Sequence, residues 1–229
     1  MPMMLRWSSM SKKTQAQYKT GVSVLDETLP GGIPEGGIVL LNTDPESKGE
    51  RFLHYLIDGQ SCGYITTSGS GEGVKSELMK SGVDHTGVDA RSVGYTNPAN
   101  EIQKSLGELA EKDIIVIDSI NPLEDNNITD PEVYRQMLTE IQKHTRRMGG
   151  YVILRRLRPP DVDSQDGLYL ADTLVDYILS ITQRINGSEV EDYLHIPKAR
   201  ATANGEYFDK EYKLVITDEV VIDTSRDIA

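Results

Sequence analysis

The sequence predicts an α/β fold: a mostly parallel sheet with helices on both faces, continued at its C-terminal end by an antiparallel hairpin extension. Three observations predict it. Short runs of branched apolar residues recur between Gly37 and Leu154, as strands buried on both faces require. The stretches between them carry apolar residues at helical spacing, so strand and helix alternate as they do around a parallel sheet. From Asp176 onward the period falls to two, and Asn186-Gly187 and Asn204-Gly205 stand where hairpin turns belong.

Taken in order, Gly37–Leu41 reads as the first buried strand, and Phe52, Leu53, Leu56 and Ile57 mark the apolar face of a helix ending near Asp58-Gly59. Cys62–Thr67 is a second strand, Val74–Lys80 a helix, and Ser92–Thr96 a third strand. Asn97-Pro98 predicts a capped helix whose stripe is Ile102, Leu106 and Leu109. Ile114–Ile117 is a strand of four branched residues. The helix expected from Pro131 to Met148 buries Val133, Met137, Leu138, Ile141 and Met148, and Gly149-Gly150 stops it. Tyr151–Leu154 follows as a strand. Asp176–Arg184, Glu191–Ile196 and Tyr212–Ile216 form the antiparallel part.

Composition narrows the function classes. At 229 residues the chain suits one domain, expected over 20–229 behind a flexible polar tail at 1–19 on which Trp7 could dock back. No apolar run approaches the roughly 18 residues of a membrane helix. The opening MPMMLRWSSMSKK lacks the apolar core of roughly 7–15 residues that a secretory signal needs. Cys62 is alone, which excludes a disulfide framework and suits a reducing, cytoplasmic compartment. The four histidines, at 54, 85, 144 and 195, show no metal-ligand spacing, so no metal site is expected. With 36 Asp+Glu against 24 Lys+Arg the formal charge is −12, which favours solubility and opposes direct nucleic-acid binding.

Thr20–Gly37 reads T-G-V-S-V-L-D-E-T-L-P-G-G-I-P-E-G-G, followed by a strand; D-I-I-V-I-D-S occupies 113–119, and Y-L-H-I-P-K-A-R at 193–200 precedes L-V-I-T-D at 214–218. In order and spacing these segments resemble the KaiC/RadA branch of the RecA-like P-loop ATPases, over about residues 20–223. The resemblance implies a RecA-like fold, with 113–119 as the Walker B strand and a phosphate-binding loop between Leu41 and Phe52.

A working Walker A is G-x-x-x-x-G-K-[ST]: its glycines let backbone N–H groups turn in around phosphate, its Lys reaches the terminal phosphates and its hydroxyl binds Mg²⁺. Here N-T-D-P-E-S-K-G-E occupies 42–50, and only Lys48 matches. Asn42 and Ser47 stand at the two glycine positions, Gly49 stands where the hydroxyl belongs, and Pro45 removes a backbone donor. Asp44, Glu46 and Glu50 crowd the place of a triphosphate, and like charges about 4 Å apart repel by about 4 kcal/mol at an effective dielectric near 20. Those carboxylates are expected to cap the positive helix N-terminus themselves. Relatives carry an acidic pair after the second strand, one member of which activates water; this chain has Ser68 and Gly69 there, so no catalytic residue is expected. Glu72 lies nearby on a glycine-rich loop.

Asp118 has two readings, an Mg²⁺ partner or a carboxylate that ties neighbouring loops together with Ser119; the altered loop favours the second. Lys48, Asp118 and Ser119 thus outline a vestigial nucleotide pocket. G-S-G-E-G-V-K-S at 69–76 reads first as a flexible surface turn, with an anion loop through Gly69, Gly71, Lys75 and Ser76 as the alternative, because it follows a strand and opens a helix. Arg155, Arg156 and Arg158 close a strand on the same sheet edge, where two readings stand level: an arginine pairs with Asp44, Glu46 or Asp118 and fills the pocket with an ion pair, or the three form a solvated rim. Lys143, His144, Arg146 and Arg147 complement a helix C-terminus. The loop P-P-D-V-D-S-Q-D-G at 159–167 is acidic where single-strand binding wants basic and aromatic residues. Lys198 and Arg200 align with a K-x-R element that reaches a neighbour's nucleotide in ring-forming relatives.

The function expected is that of an inactivated RecA-superfamily protein, of the kind implicated in archaeal signal transduction, with no cofactor and with a protein partner or self-association. Two alternatives stand beside it: an unusual ATPase binding ATP and Mg²⁺ through Lys48 and Asp118, and an accessory paralogue of an active RecA/RadA recombinase.

Overall fold

The computed structural model describes residues 16–29, 31–158, 170–199, 211–217 and 220–223. A short antiparallel pair, β1 (Gln17–Tyr18) with β2 (Ile33–Pro34), brackets helix α1 (Ser23–Thr28). Residues 16–19, assigned to the tail from the sequence, are therefore part of the fold: Tyr18 donates to the Gly149 carbonyl at 2.6 Å and packs on Tyr151.

Then strand and helix alternate: β3 (Ile38–Thr43), α2 (Gly49–Leu56), β4 (Cys62–Thr66), α3 (Gly71–Lys80), β5 (Val88–Ser92), α4 (Pro98–Glu108), β6 (Ile114–Asp118), α5 (Asn121–Glu124), α6 (Pro131–Met148), β7 (Tyr151–Leu157) and α7 (Leu170–Leu174). The chain closes with β8 (Tyr177–Asn186), β9 (Glu189–Ala199), β10 (Glu211–Ile216) and β11 (Val220–Asp223). Among the described residues, nine strands form one sheet in the order β11-β10-β9-β8-β3-β7-β6-β4-β5. Strands β8, β3, β7, β6, β4 and β5 run parallel, and β9, β10 and β11 are antiparallel. This is the predicted fold class.

Alternation along each parallel strand divides the core in two. Val39, Leu41, Tyr64, Val116 and Ile153 face α1, α2 and α3, where they meet Leu25, Phe52, Leu53 and Leu78. Leu40, Ile65, Ile115, Ile117, Val152 and Leu154 face the other way, onto Ile102, Leu106, Met137 and Ile141. Each such fully buried side chain contributes about 1.5–3 kcal/mol relative to exposure.

Several local expectations are corrected. The third strand lies at Val88–Ser92, not Ser92–Thr96, because it is an edge strand whose pairing to β4 needs little apolar patterning. In α6 the buried stripe runs Tyr134, Met137, Leu138 and Ile141, which leaves Val133 41% exposed and Met148 only partly buried. Asn97 occupies the cap position of α4 without a side-chain cap bond. Asp130 does cap α6, accepting from Glu132 N at 2.8 Å, and Gly149 ends it in the left-handed conformation at φ 78°. Trp7, the 159–167 loop, Arg200 and the turn at Asn204-Gly205 lie outside the described residues.

Candidate functional site

Side-chain parity builds the site. Counting along the strands that end at one sheet edge, Thr43, Tyr64, Thr66, Asp118 and Arg155 share the face of Leu41, Val116 and Ile153, the face toward α2 and α3. Asp118 stands opposite Arg155 in the register of β6 with β7, and opposite Thr66 in that of β6 with β4. Asp118 and Arg155 are buried, at 6% and 7% exposure. Arg155 Nη1 donates to Asp118 Oδ2 at 2.9 Å and Oδ1 at 3.1 Å, and its Nε to Thr43 Oγ1 at 3.3 Å. The Tyr64 hydroxyl donates to Asp118 Oδ2. Burial, then the Asp118 charge, holds the Tyr64 phenol well above the usual tyrosine range, so it remains a donor. The peptide bond after Asp118 is cis, and Ser119 exchanges hydrogen bonds with Thr67: its N–H donates to Thr67 Oγ1 at 3.1 Å, and Thr67 Oγ1 donates to its carbonyl at 2.9 Å.

Glu50 of α2 approaches the same guanidinium at 4.0 Å and lies 4.0 Å from His54 Nε2. His54 is buried, its Nδ1 sits 3.0 Å from Ser81 Oγ, and burial pushes its pKa below the usual histidine value. Glu77 of α3 is raised, first by burial and then by the charge and hydrogen bond of Glu50.

The segment joining β3 to α2 is closed on itself and on the neighbouring strands. The Ser47 N–H and hydroxyl both donate to the Asp44 carbonyl, at 3.0 and 2.7 Å, and the Gly49 N–H donates to Ser47 Oγ at 3.2 Å. Asp44 Oδ2 accepts from the Gln183 N–H of β8 at 3.1 Å, and the Glu46 carbonyl accepts from the Gln183 side chain at 2.8 Å. Lys48 turns away from Asp118: its N–H donates to Asp192 Oδ1 of β9 at 3.3 Å, and its half-exposed ammonium stands 3.9 Å from Asp192 Oδ2. The carboxylates at 44 and 46 therefore do not cap α2 as the sequence suggested; the donors of that turn go to Ser47 and Asp192. At Gly49 a Cβ would come within 2.5 Å of Thr43 side-chain carbons, which leaves no room for the residue a Walker A carries there.

Between α2 and α3 lies a cavity of about 350 Å³ lined by Pro45, Glu50, Tyr64, Glu77, Asp118 and Arg155, among others. Ser68 and Gly69 line it too. The 69–76 segment divides: Gly69 and Ser70 face the cavity, whereas Lys75 and Ser76 are exposed and lie outside its lining. Ser70 caps α3 by accepting from Gly73 N at 3.0 Å. Gly71 is required by packing, since a Cβ would meet the Ala90 carbonyl at 2.6 Å. A larger hollow of about 410 Å³ between α4 and α6 gathers only one charged pair, Glu140 with Lys143 at 2.7 Å.

Arg156, of opposite parity, enters the other core. Its Nε and Nη2 grip both oxygens of Glu124 at 2.7 and 2.5 Å, and its Nη1 lies 2.8 Å from Asp172. Lys198 donates to the Asp172 carbonyl at 2.6 Å. Tyr64, Glu77, Glu124 and Asp192 were not singled out from the sequence; strand parity alone could have found Tyr64, while the others depend on which elements become neighbours. Among the described residues no group of three or more His, Cys, Asp or Glu is placed to hold a metal ion, and no helix is long and apolar enough to cross a membrane.

Comparison with known proteins gives a consistent picture of the fold. The crystal structure of the KaiC-like protein PH0186 from the hyperthermophilic archaeon Pyrococcus horikoshii OT3 superposes with a TM-score of 0.72 at 20% sequence identity, covering 91% of this chain and 99% of that one. The chain thus has a KaiC/RecA-like fold. No curated protein matches it in sequence. Residues 17–229 match the family described as "Family of unknown function (DUF7125)", and the chain belongs to that family.

Proposed function

We propose that this member of the DUF7125 family is a KaiC/RecA-fold protein with a degenerate phosphate loop, one that has given up nucleotide hydrolysis and acts as a regulatory or signalling module by binding a partner. One observation carries the reading: the Asp118 carboxylate, at the strand end where nucleotide sites of open α/β sheets lie, is already neutralised by Arg155 and bonded by Tyr64. An Mg²⁺ ion would have to displace a buried guanidinium, leaving that charge without its partner. The closed 44–49 segment adds to this, because its donors serve Asp44, Ser47 and Asp192. With Ser68 and Gly69 where relatives carry carboxylates, a positioned general base for water is missing from that segment. Fold alone does not fix function, so the weight rests on the site.

The test is titration with a fluorescent ATP analogue, with and without Mg²⁺. The expected outcome is no saturable, Mg²⁺-dependent binding in the micromolar range. Micromolar binding that needs Mg²⁺ and is abolished by Lys48→Ala would sink the proposal in favour of an ATP-using protein.

A further inference from the structure

We infer that the hollow between α4 and α6 receives a second copy of this chain, which docks there through the tip of its β8–β9 hairpin. Neither surface lines the Asp118 cavity, so the inference goes beyond the proposed function and does not rest on it.

The tip is an apolar knob. Residues 184–190 are all exposed, and within them Ile185 and Val190 stand opposite one another in the β8–β9 register, at 79% and 60% exposure. A single exposed aliphatic side chain is ordinary, but two paired across a ribbon form one continuous apolar surface. By parity they continue the face of Ile181 and Leu194, which belongs to the core under α1, α2 and α3. The pair between, Gln183 with Asp192, is bonded by the 44–48 segment, and the knob lies one step beyond that cover. Helices α4 and α6 pack on the opposite face of the sheet, so the knob does not reach the hollow of its own chain. Bringing the two together takes another copy.

The hollow is a socket of matching character. Its volume is about 410 Å³, and its apolar wall is Ala99 of α4 with Val133 and Met137 of α6. Val133 is left 41% exposed there, so burying a branched side chain against it is favourable for both partners. Asn100, Gln103 and Gln136, also in the lining, supply amide donors and acceptors for the polar turn Asn186-Gly187-Ser188. Charge selects the same pairing. Helix α6 carries four cations, Arg135, Lys143, Arg146 and Arg147, against two carboxylates, Glu132 and Glu140, in a chain whose formal charge is −12. The tip has the other sign: Arg184 is bound by Glu211, which leaves Glu189 as its exposed charge. Tip against tip would set Glu189 against its own copy, whereas tip against α6 sets it on a basic helix with Lys143 in the lining.

Sedimentation equilibrium of the full chain tests this, with the weight-average mass expected to rise with concentration. A knob variant, Ile185→Ser with Val190→Ser, and a socket variant, Val133→Asp, should each weaken self-association at least tenfold. All three positions are exposed, and urea midpoints establish that both variants are folded. The decisive arm mixes the two. The knob variant keeps its socket and the socket variant keeps its knob, so they should bind each other although neither binds itself. Glu189→Lys should weaken the contact about twofold to fivefold, even though it lowers the net repulsion between copies. A parent chain that stays monomeric at every concentration overturns the inference. So does a Val133→Asp protein that associates like the parent, since that is the tip-to-tip contact, and so does a mixture in which the two variants ignore each other. A tighter contact in Glu189→Lys overturns the pairing of tip with α6. Lys48-dependent binding of Mg²⁺-ATP would remove the proposed function and leave this contact standing.

Discussion

At the scale of single residues, the centre of the molecule is a pair of arginines adjacent in sequence and opposite in space. Arg155 enters the α2/α3 core against Asp118, and Arg156 enters the α4/α6 core against Glu124 and Asp172. Each neutralises carboxylates that are largely out of water, where a charge without a partner is costly. Arg155→Ala is therefore expected to lower unfolding free energy by about 3–5 kcal/mol, because it leaves Asp118 buried with only the Tyr64 hydroxyl. Arg156→Ala should act similarly by stranding Glu124. An exposed pair such as Lys104–Glu108, at 4.0 Å on the surface of α4, should be worth less than about 1 kcal/mol when broken. Urea denaturation of Arg155→Ala, Arg156→Ala and Lys104→Ala measures this. Unchanged midpoints for both Arg155→Ala and Arg156→Ala would mean that neither guanidinium is held as described. Replacing Arg155 and Asp118 together should recover part of the loss, since the cost lies in the orphaned charge rather than in the missing bond.

At the scale of elements, the start of α2 shows how a local sequence feature and its packing fit one another. Gly49 opens the helix directly over Thr43, and a Cβ there would meet Thr43 Cγ2 at 2.3 Å and Cβ at 2.5 Å. Gly49→Ser, which restores the hydroxyl of a working phosphate loop, is expected to destabilise the fold by about 1–3 kcal/mol through overpacking. It should bring no Mg²⁺-ATP binding. A Gly49→Ser protein that is as stable as the parent and binds Mg²⁺-ATP would show that the loop needs only one residue to recover.

The same element marks how far the sequence could be read. The apolar runs of β3, β6 and β7 and the stripe of α2 were legible because burial on both faces demands continuous hydrophobicity, and helical spacing is unambiguous over two turns. Edge strand β5 was misplaced by a few residues because its Asp89 and Arg91 carry no such pattern. Within the site, Asp118 and Arg155 were each visible as charged residues at the ends of apolar strands. Their pairing follows from β6 lying beside β7, a matter of strand order that no local pattern encodes. Asp192 as a partner of the α2 turn was hidden for the same reason, since it arrives from a strand more than a hundred residues later, whereas the Ser47 bonds are local.

At the scale of the whole molecule, the excess of 36 acidic over 24 basic residues acts through the site as well as through the surface. Several of the cations are already committed. Arg155 and Arg156 are buried on carboxylates, and Arg184 and Lys213 pair with Glu211 and Glu191 along the β8–β10 ribbon. The acids outnumber what these can neutralise, so the long-range field is negative, and a polyanion meets repulsion over about 10 Å at 0.1 M salt. Two consequences separate this protein from a nucleic-acid-binding relative of the same fold. Single-stranded DNA should show no binding even at about 20 mM salt, where counterion release favours protein–DNA contacts most. Raising sodium chloride to about 0.5 M should increase the thermal midpoint, because screening relieves the chain's repulsion with itself. Fluorescence anisotropy of a labelled oligonucleotide and a thermal melt across the salt series measure both. Tight, salt-sensitive DNA binding, with a midpoint that falls as salt is added, would mean that local basic contacts outweigh the net field.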